Sequence, residues 1–131
     1  MVEPYITMNG RAAKAMDFYE EVFGAADKRV MLYSEAPGNR ASGDTDGWVL
    51  HGEMNIMGTN FSFSDQSERF KPSSLVSLVI RPQSEEETRR LYARLTEGGG
   101  EILMVLAPQF YAKLYAWVRD KFGVDWQIIF G

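Results

Sequence analysis

The chain has 131 residues, of which 45% are hydrophobic and 24% charged, so it carries enough apolar material for one ordinary domain over 1–131 and too much for a disordered chain. It has no cysteine, which excludes disulfides, thiolate metal sites and cysteine nucleophiles. Its net charge of −4 argues against a nucleic-acid partner, whose phosphates call for a basic surface. No stretch approaches the about 20 apolar residues of a membrane span, and Met1–Met8 shows no apolar run behind basic residues, so a cytoplasmic protein with no membrane partner is expected.

In chain order, a first strand is expected at 4–8. Asn9 then stands as a candidate N-cap for a helix whose Ala12, Ala15, Met16, Tyr19 and Phe23 form an apolar stripe, with Gly24 as its stop. Strands follow at 28–34, 47–57 and 60–65, with Gly58 in a tight turn between the last two. The second half repeats the order. A strand is expected at 75–81, then a helix opened by a Ser84/Glu87 capping box, striped by Thr88, Leu91, Tyr92 and Leu95 and ended by Gly98-Gly99-Gly100. Strands at 101–106, 112–119 and 125–130 complete it, with Gly123 in the last turn. Arg89, Arg90 and Arg94 lie beside Glu85, Glu86 and Glu87 and read as a solvated face with local ion pairs.

The halves also match weakly in sequence. Phe18, Tyr19 and Val22 align with Leu91, Tyr92 and Leu95 at an offset of 73, and Gly58, Phe61 and Phe63 with Gly123, Trp126 and Ile128 at an offset of 65. Such matches point to a duplicated strand–helix–three-strand unit, with modules at about 1–66 and about 73–131. The loops at 36–47 and 64–74, the second carrying Arg69 and Lys71, are candidate lids.

Alternation puts His51, Glu53 and Asn55 on one face of the third strand and Gly52, Met54 and Ile56 on the other. Asn60, Ser62 and Ser64 alternate with Phe61 and Phe63 in the same way, and Asp125 and Gln127 with Trp126 and Ile128. His51, Glu53, Asn55, Ser62 and Gln127 are therefore candidates to line a polar pocket. His51, assisted by Glu53, is the candidate general base or hydrogen-bond donor, because imidazole titrates near neutrality. A mutually satisfied structural pair is the competing account of the two. Tyr115 and Trp117, with Phe110 and Tyr111, are candidates for an apolar wall, and equally for core or interface. Trp126 is expected in the core. Lys113 and Arg119 are candidates to meet an anion.

The segment Asp17-Phe18-Tyr19-Glu20-Glu21-Val22-Phe23-Gly24 resembles the first helix of the vicinal oxygen chelate superfamily, which includes glyoxalase, bleomycin-resistance proteins and dioxygenases. Leu50-His51-Gly52-Glu53-Met54 with Ser64-Asp65, and the run from Arg119 to Trp126, are similar to its PhnB-like branch. The resemblance implies an α+β fold of two tandem βαβββ modules. Their curved mixed sheets would enclose a cavity, with helices on the outer face, and the protein would be a homodimer. It also implies metal ligands, where present, on the first and last strand of each module. Those strands offer Pro4, Tyr5, Ile6, Thr7 and Ser62 in one half and Leu75, Val76, Ser77 and Gln127 in the other, none a good ligand for zinc, nickel or iron. With one histidine in the chain, a metal-independent protein that binds an unknown small molecule is expected, with no cofactor. The alternative is a divalent-metal enzyme using His51 and Glu53. Some PhnB-like sequences carry a demethylubiquinone methyltransferase label, but no glycine-rich nucleotide loop follows a strand here.

Overall fold

A computed structural model describes residues 1–35, 47–67, 71, 73 and 75–131. Most of the expected lid at 36–47, and Arg69 in the other, lie outside the described residues. The chain divides into two compact units, Met1–Phe70 and Lys71–Gly131. The first holds β1 (Tyr5–Met8), α1 (Ala12–Phe23), β2 (Ala26–Leu32), β3 (Val49–Ile56) and β4 (Thr59–Asp65). The second holds β5 (Leu78–Ile80), α2 (Glu85–Thr96), β6 (Glu101–Gln109), β7 (Ala112–Arg119) and β8 (Asp125–Phe130). Each has one mixed four-stranded sheet, in the orders β1-β4-β3-β2 and β5-β8-β7-β6, with the first strand parallel to the last and the other pairs antiparallel.

Helix α1 starts later than expected and is capped from elsewhere. Its N-cap position is Arg11, which makes no side-chain cap bond. The cap is the buried carboxylate of Asp65, at the end of β4. Its Oδ1 accepts from Gly10 N (2.7 Å) and Ala12 N (3.1 Å), and its Oδ2 accepts from Val49 N (2.9 Å). Asn9, the expected cap, instead donates its side-chain amide to the Gln66 carbonyl (2.6 Å). A carboxylate here also suits the positive end of the helix dipole. At the other end Gly24 adopts the left-handed conformation (φ 63°, ψ 37°), as expected of a helix stop.

Helix α2 is capped locally. Ser84 Oγ accepts from Glu87 N (3.0 Å), while the Glu87 carboxylate reaches back to Gln83 N (3.1 Å), one residue before the usual capping-box partner. Arg89 pairs with Glu85 and Arg94 with Glu97, so both arginines are engaged locally.

Strand ends differ from expectation for identifiable reasons. β5 shrinks from 75–81 to three residues, because only Leu78, Val79 and Ile80 pair with β8, while Leu75 and Val76 lie exposed. β6 runs beyond 106 to Gln109, because a two-residue turn at Phe110-Tyr111 lets Gln109 pair with Ala112. The β3–β4 hairpin closes through Met57 (φ 49°) and Gly58 (φ 93°), both left-handed, the backbone of a two-residue turn matched to sheet twist.

One face of each sheet packs on its helix. In the first unit, Met54, Phe61 and Phe63 are buried with Met16, Tyr19 and Val22 of α1. In the second, Ala116, Val118, Trp126 and Ile128 are buried with Leu91 and Leu95 of α2. Trp126 is core, and its indole N–H donates to Asp120 Oδ2 (2.9 Å). Gly52 is needed where Met16 crosses β3: a Cβ there would lie 2.7 Å from Met16 Sδ.

Two substitutions test these constraints by chemical denaturation. Asp65→Ala strands three backbone N–H groups and should cost at least about 2 kcal/mol; a loss under about 0.5 kcal/mol would show that Asp65 does not hold the unit together. Gly52→Ala should destabilise by about 1–3 kcal/mol, unless Met16 can move aside without loss.

Candidate functional site

The same alternation leaves a second face on each sheet, turned away from the helix. In the first unit, pairing aligns Tyr5, Ser62, Glu53 and Arg29 in one row across all four strands. Met31 pairs with His51, and Asn55 with Asn60, in the flanking rows. His51, Glu53, Asn55 and Ser62 are thus brought together on the helix-distal face of this sheet.

Glu53 is the hub. Its Oε1 accepts from Asn60 Nδ2 (2.9 Å) and faces Arg29 Nη2 (3.7 Å), while its Oε2 lies 3.3 Å from His51 Nε2. The hydrogen bond from Asn60 first, then that from His51 and the positive Arg29, hold the Glu53 carboxyl below its ordinary range. His51 is nearly half exposed (46% of its side chain) and sits beside the Tyr5 ring, with centroids 6.0 Å apart. The ionised form of the carboxylate is thus favoured, and it lies against an imidazole that keeps nearly half of its surface exposed.

Asn55 is partly committed to structure, because its Oδ1 accepts from Gly58 N (2.9 Å) and holds the hairpin turn. Beside that turn, Asn55 and Asn60 line a polar cleft of about 410 Å³ with Asp27, Lys28 and Arg29. Lys28 is itself bound to Asp17 and Glu20, and the first of these bonds raises its pKa.

In the second unit, Val79, Gln127, Trp117 and Met104 form the corresponding row. Tyr115 lies one row along, so Tyr115, Trp117 and Gln127 also share a helix-distal face. Tyr115 OH donates to Gln127 Oε1 (2.6 Å), and Gln127 Nε2 donates to Ser77 Oγ (2.6 Å). Burial raises the Tyr115 pKa, and Tyr111 adds to the effect, so the phenol stays protonated as a donor. Arg119 makes a two-pronged bond to the buried Asp125 (2.6 and 3.1 Å), so an anion here would have to compete with a carboxylate already in place. Lys113 lies over the Phe130 ring, 5.7 Å from its centroid.

The positions implied for a metal do not fit one. Parallel pairing sets Tyr5 beside Ser62, and its counterpart sets Val79, rather than Leu75, Val76 or Ser77, beside Gln127. None is an imidazole, carboxylate or thiolate, and both ends of the Gln127 amide are already hydrogen-bonded. Among the described residues, no three His, Cys, Asp or Glu side chains converge. Also among them, no helix is long and apolar enough to cross a membrane.

Asn60 and Arg29 as partners of Glu53, and Asp65 as the helix cap, are not among the site and cap residues expected from the sequence. The hairpin register Asn55–Asn60 was available from Gly58 and would have exposed Asn60; the Asp65 contact had no local signal.

Two tandem βαβββ modules, each with a mixed sheet and one helix, define a glyoxalase-like α+β fold. A family model described as 3-demethylubiquinone-9 3-methyltransferase matches residues 1–129. Protein YjdN of Escherichia coli (strain K12) is 30% identical over 137 residues, covering 97% of this chain and 92% of YjdN. Protein PA1353 of Pseudomonas aeruginosa is 25% identical with a TM-score of 0.86, covering 99% of this chain and 96% of that one. A PhnB protein from Bacillus cereus is 27% identical with a TM-score of 0.80, covering 99% and 98%. The chain belongs to this 3-demethylubiquinone-9 3-methyltransferase, or PhnB-like, family of the vicinal oxygen chelate superfamily.

The hub makes a testable claim about charge. Asn60→Ala should raise the Glu53 pKa toward the ordinary carboxylate range, as followed by NMR titration of its side-chain carbonyl. Because the folded value lies below the unfolded one, the associated stabilisation is complete above the unfolded pKa and disappears as pH falls through the folded pKa. An unmoved titration would assign the effect to His51 and Arg29 alone.

Proposed function

We propose that this protein binds a small organic molecule without a resident metal, using the helix-distal faces of its sheets. The observation that carries this reading is the occupancy of the implied metal positions by Tyr5, Ser62, Val79 and Gln127, with Gln127 locked into a hydrogen-bonded chain. Asn55, Ser62, Tyr115, Trp117 and Gln127 are the proposed ligand-binding residues, and His51 with Glu53 the proposed acid–base pair. With Glu53 ionised, the Nε2 proton of His51 points to the carboxylate and the Nδ1 lone pair is the basic position. Methyl transfer from a nucleoside cofactor finds no support, because Gly98 and Gly99 (φ 68° and 107°) follow α2 and form a helix-ending turn rather than a phosphate-binding loop. The absence of cysteine supports a cytoplasmic setting, and exposed Ile102, Val105 and Phe110 support a homodimer.

The test is metal analysis of untagged protein, then calorimetric titration with zinc, nickel, manganese and iron(II), and a thermal-shift screen of a small-molecule library. Metal binding weaker than about millimolar (about 4 kcal/mol) together with a ligand-induced shift is expected. Near-stoichiometric metal that is lost in His51→Ala would overturn the metal-independent reading in favour of a metal enzyme using His51 and Glu53. His51→Ala should also abolish the shift from a library hit while changing stability by less than about 0.5 kcal/mol, since nearly half of the side chain is exposed. An unchanged shift would remove His51 from the site.

A further inference from the structure

The second unit contains two indole N–H groups in contrasting situations. Trp126 donates to Asp120 Oδ2 in the core. The Trp117 Nε1 is also buried, yet among the described residues it has no hydrogen-bond partner. A buried donor left unmade costs about 1–3 kcal/mol, so native structures leave few, and an exception on the face proposed for a ligand is a place for a ligand acceptor.

The surroundings narrow what that acceptor is. In the row Val79–Gln127–Trp117–Met104, both the Val79 and Met104 side chains are apolar and are 50% and 41% exposed. The polar atoms of Gln127 are already taken by Tyr115 and Ser77. Trp117 thus offers an unmet donor between two apolar side chains and polar neighbours that are already hydrogen-bonded. A charged acceptor would need a cation to offset its desolvation, but Arg119, two residues along β7, is matched by the buried carboxylate of Asp125, and Lys113, four residues the other way, lies over the Phe130 ring. A neutral acceptor meets no such penalty.

Building on the small-molecule reading above, we infer that the helix-distal face of the second sheet takes a largely apolar ligand bearing one neutral carbonyl oxygen, received by the Trp117 indole N–H. Because the nitrogen is closed to bulk water, the ligand displaces neighbouring side chains as it enters, and Met104, flexible and partly exposed, is placed to move. Trp117→Phe keeps an aromatic ring and removes only the donor, so it should fold normally and lose the preference for a carbonyl.

The experiment compares fluorenone with fluorene, one ring system with and without a carbonyl, by calorimetry and by ¹⁵N-resolved NMR of the three tryptophan indoles. The expected result is at least about tenfold tighter binding of fluorenone, equivalent to about 1.4 kcal/mol. The indole resonance missing from Trp117→Phe should move downfield with fluorenone and not with fluorene, and the preference should vanish in that variant. Equal affinity for the two compounds, or a preference that survives in Trp117→Phe, overturns the carbonyl assignment and leaves the apolar ligand site standing. A Trp117 resonance already at a hydrogen-bonded position and unmoved by either compound reveals a resident acceptor such as a buried water, and likewise overturns it. Binding of neither compound, with no hit in the wider screen, overturns both the inference and the reading it rests on.

Discussion

Period-two alternation, pinned by the packing of α1 on β3, governs what the first sheet presents to a ligand. Met16 is fully buried, and its sulfur occupies the space where a side chain at Gly52 would begin. A one-residue slip of β3 would drive His51 or Glu53 into that space and turn Met54 outward, so the register is held by sterics as well as by the ladder. Once Gly52 and Met54 face the helix, His51, Glu53 and Asn55 face away, and the pairing of β3 with β2 and β4 brings Arg29, Ser62 and Asn60 beside them. The second unit obeys the same rule through Val118 and Trp126, which leave Trp117 and Gln127 on the opposite face.

Register makes the two units comparable position by position. Glu53 pairs with Ser62 in one sheet, and Trp117 pairs with Gln127 in the other. On that alignment Asn55 and Asn60 of the first unit correspond to Arg119 and Asp125 of the second, and Tyr5 corresponds to Val79. The duplicated scaffold has therefore diverged in chemistry at equivalent sites. One face gathers an ionised carboxylate, an imidazole and a guanidinium; the other gathers two aromatic rings around an amide whose hydrogen bonds are already made.

Much of this was legible in the sequence, and what was missed is physically explicable. The capping of α2 rests on residues three apart, so Ser84 and Glu87 announce it directly. The capping of α1 depends on Asp65, which lies 53 residues from Ala12, and no local pattern distinguishes it from the nearby Asn9. Alternation in β3, β4 and β8 could be read because each has one strongly apolar face. Strand ends were harder, since Leu75 and Val76 look like strand residues and only the missing partner strand excludes them. That the Trp117 nitrogen has no partner among the described residues could not be anticipated, because the lack of an acceptor is a property of its surroundings rather than of the residue itself.

The poor fit of the implied metal positions to a metal extends to Glu53. A metal site needs several lone pairs left uncommitted and held at one point. Among the described residues, the carboxylate beside His51 is that of Glu53, already engaged by Asn60 and Arg29 as well as by the imidazole, which lowers its proton affinity and also competes with a metal for its oxygens. The same contacts that would make Glu53 a poor ligand make it a good orienting group, because an ionised, immobilised carboxylate fixes which imidazole nitrogen carries the proton. On the reading proposed above, the fold is kept while the ligands are replaced, and recognition rests on how each side chain spends its hydrogen bonds.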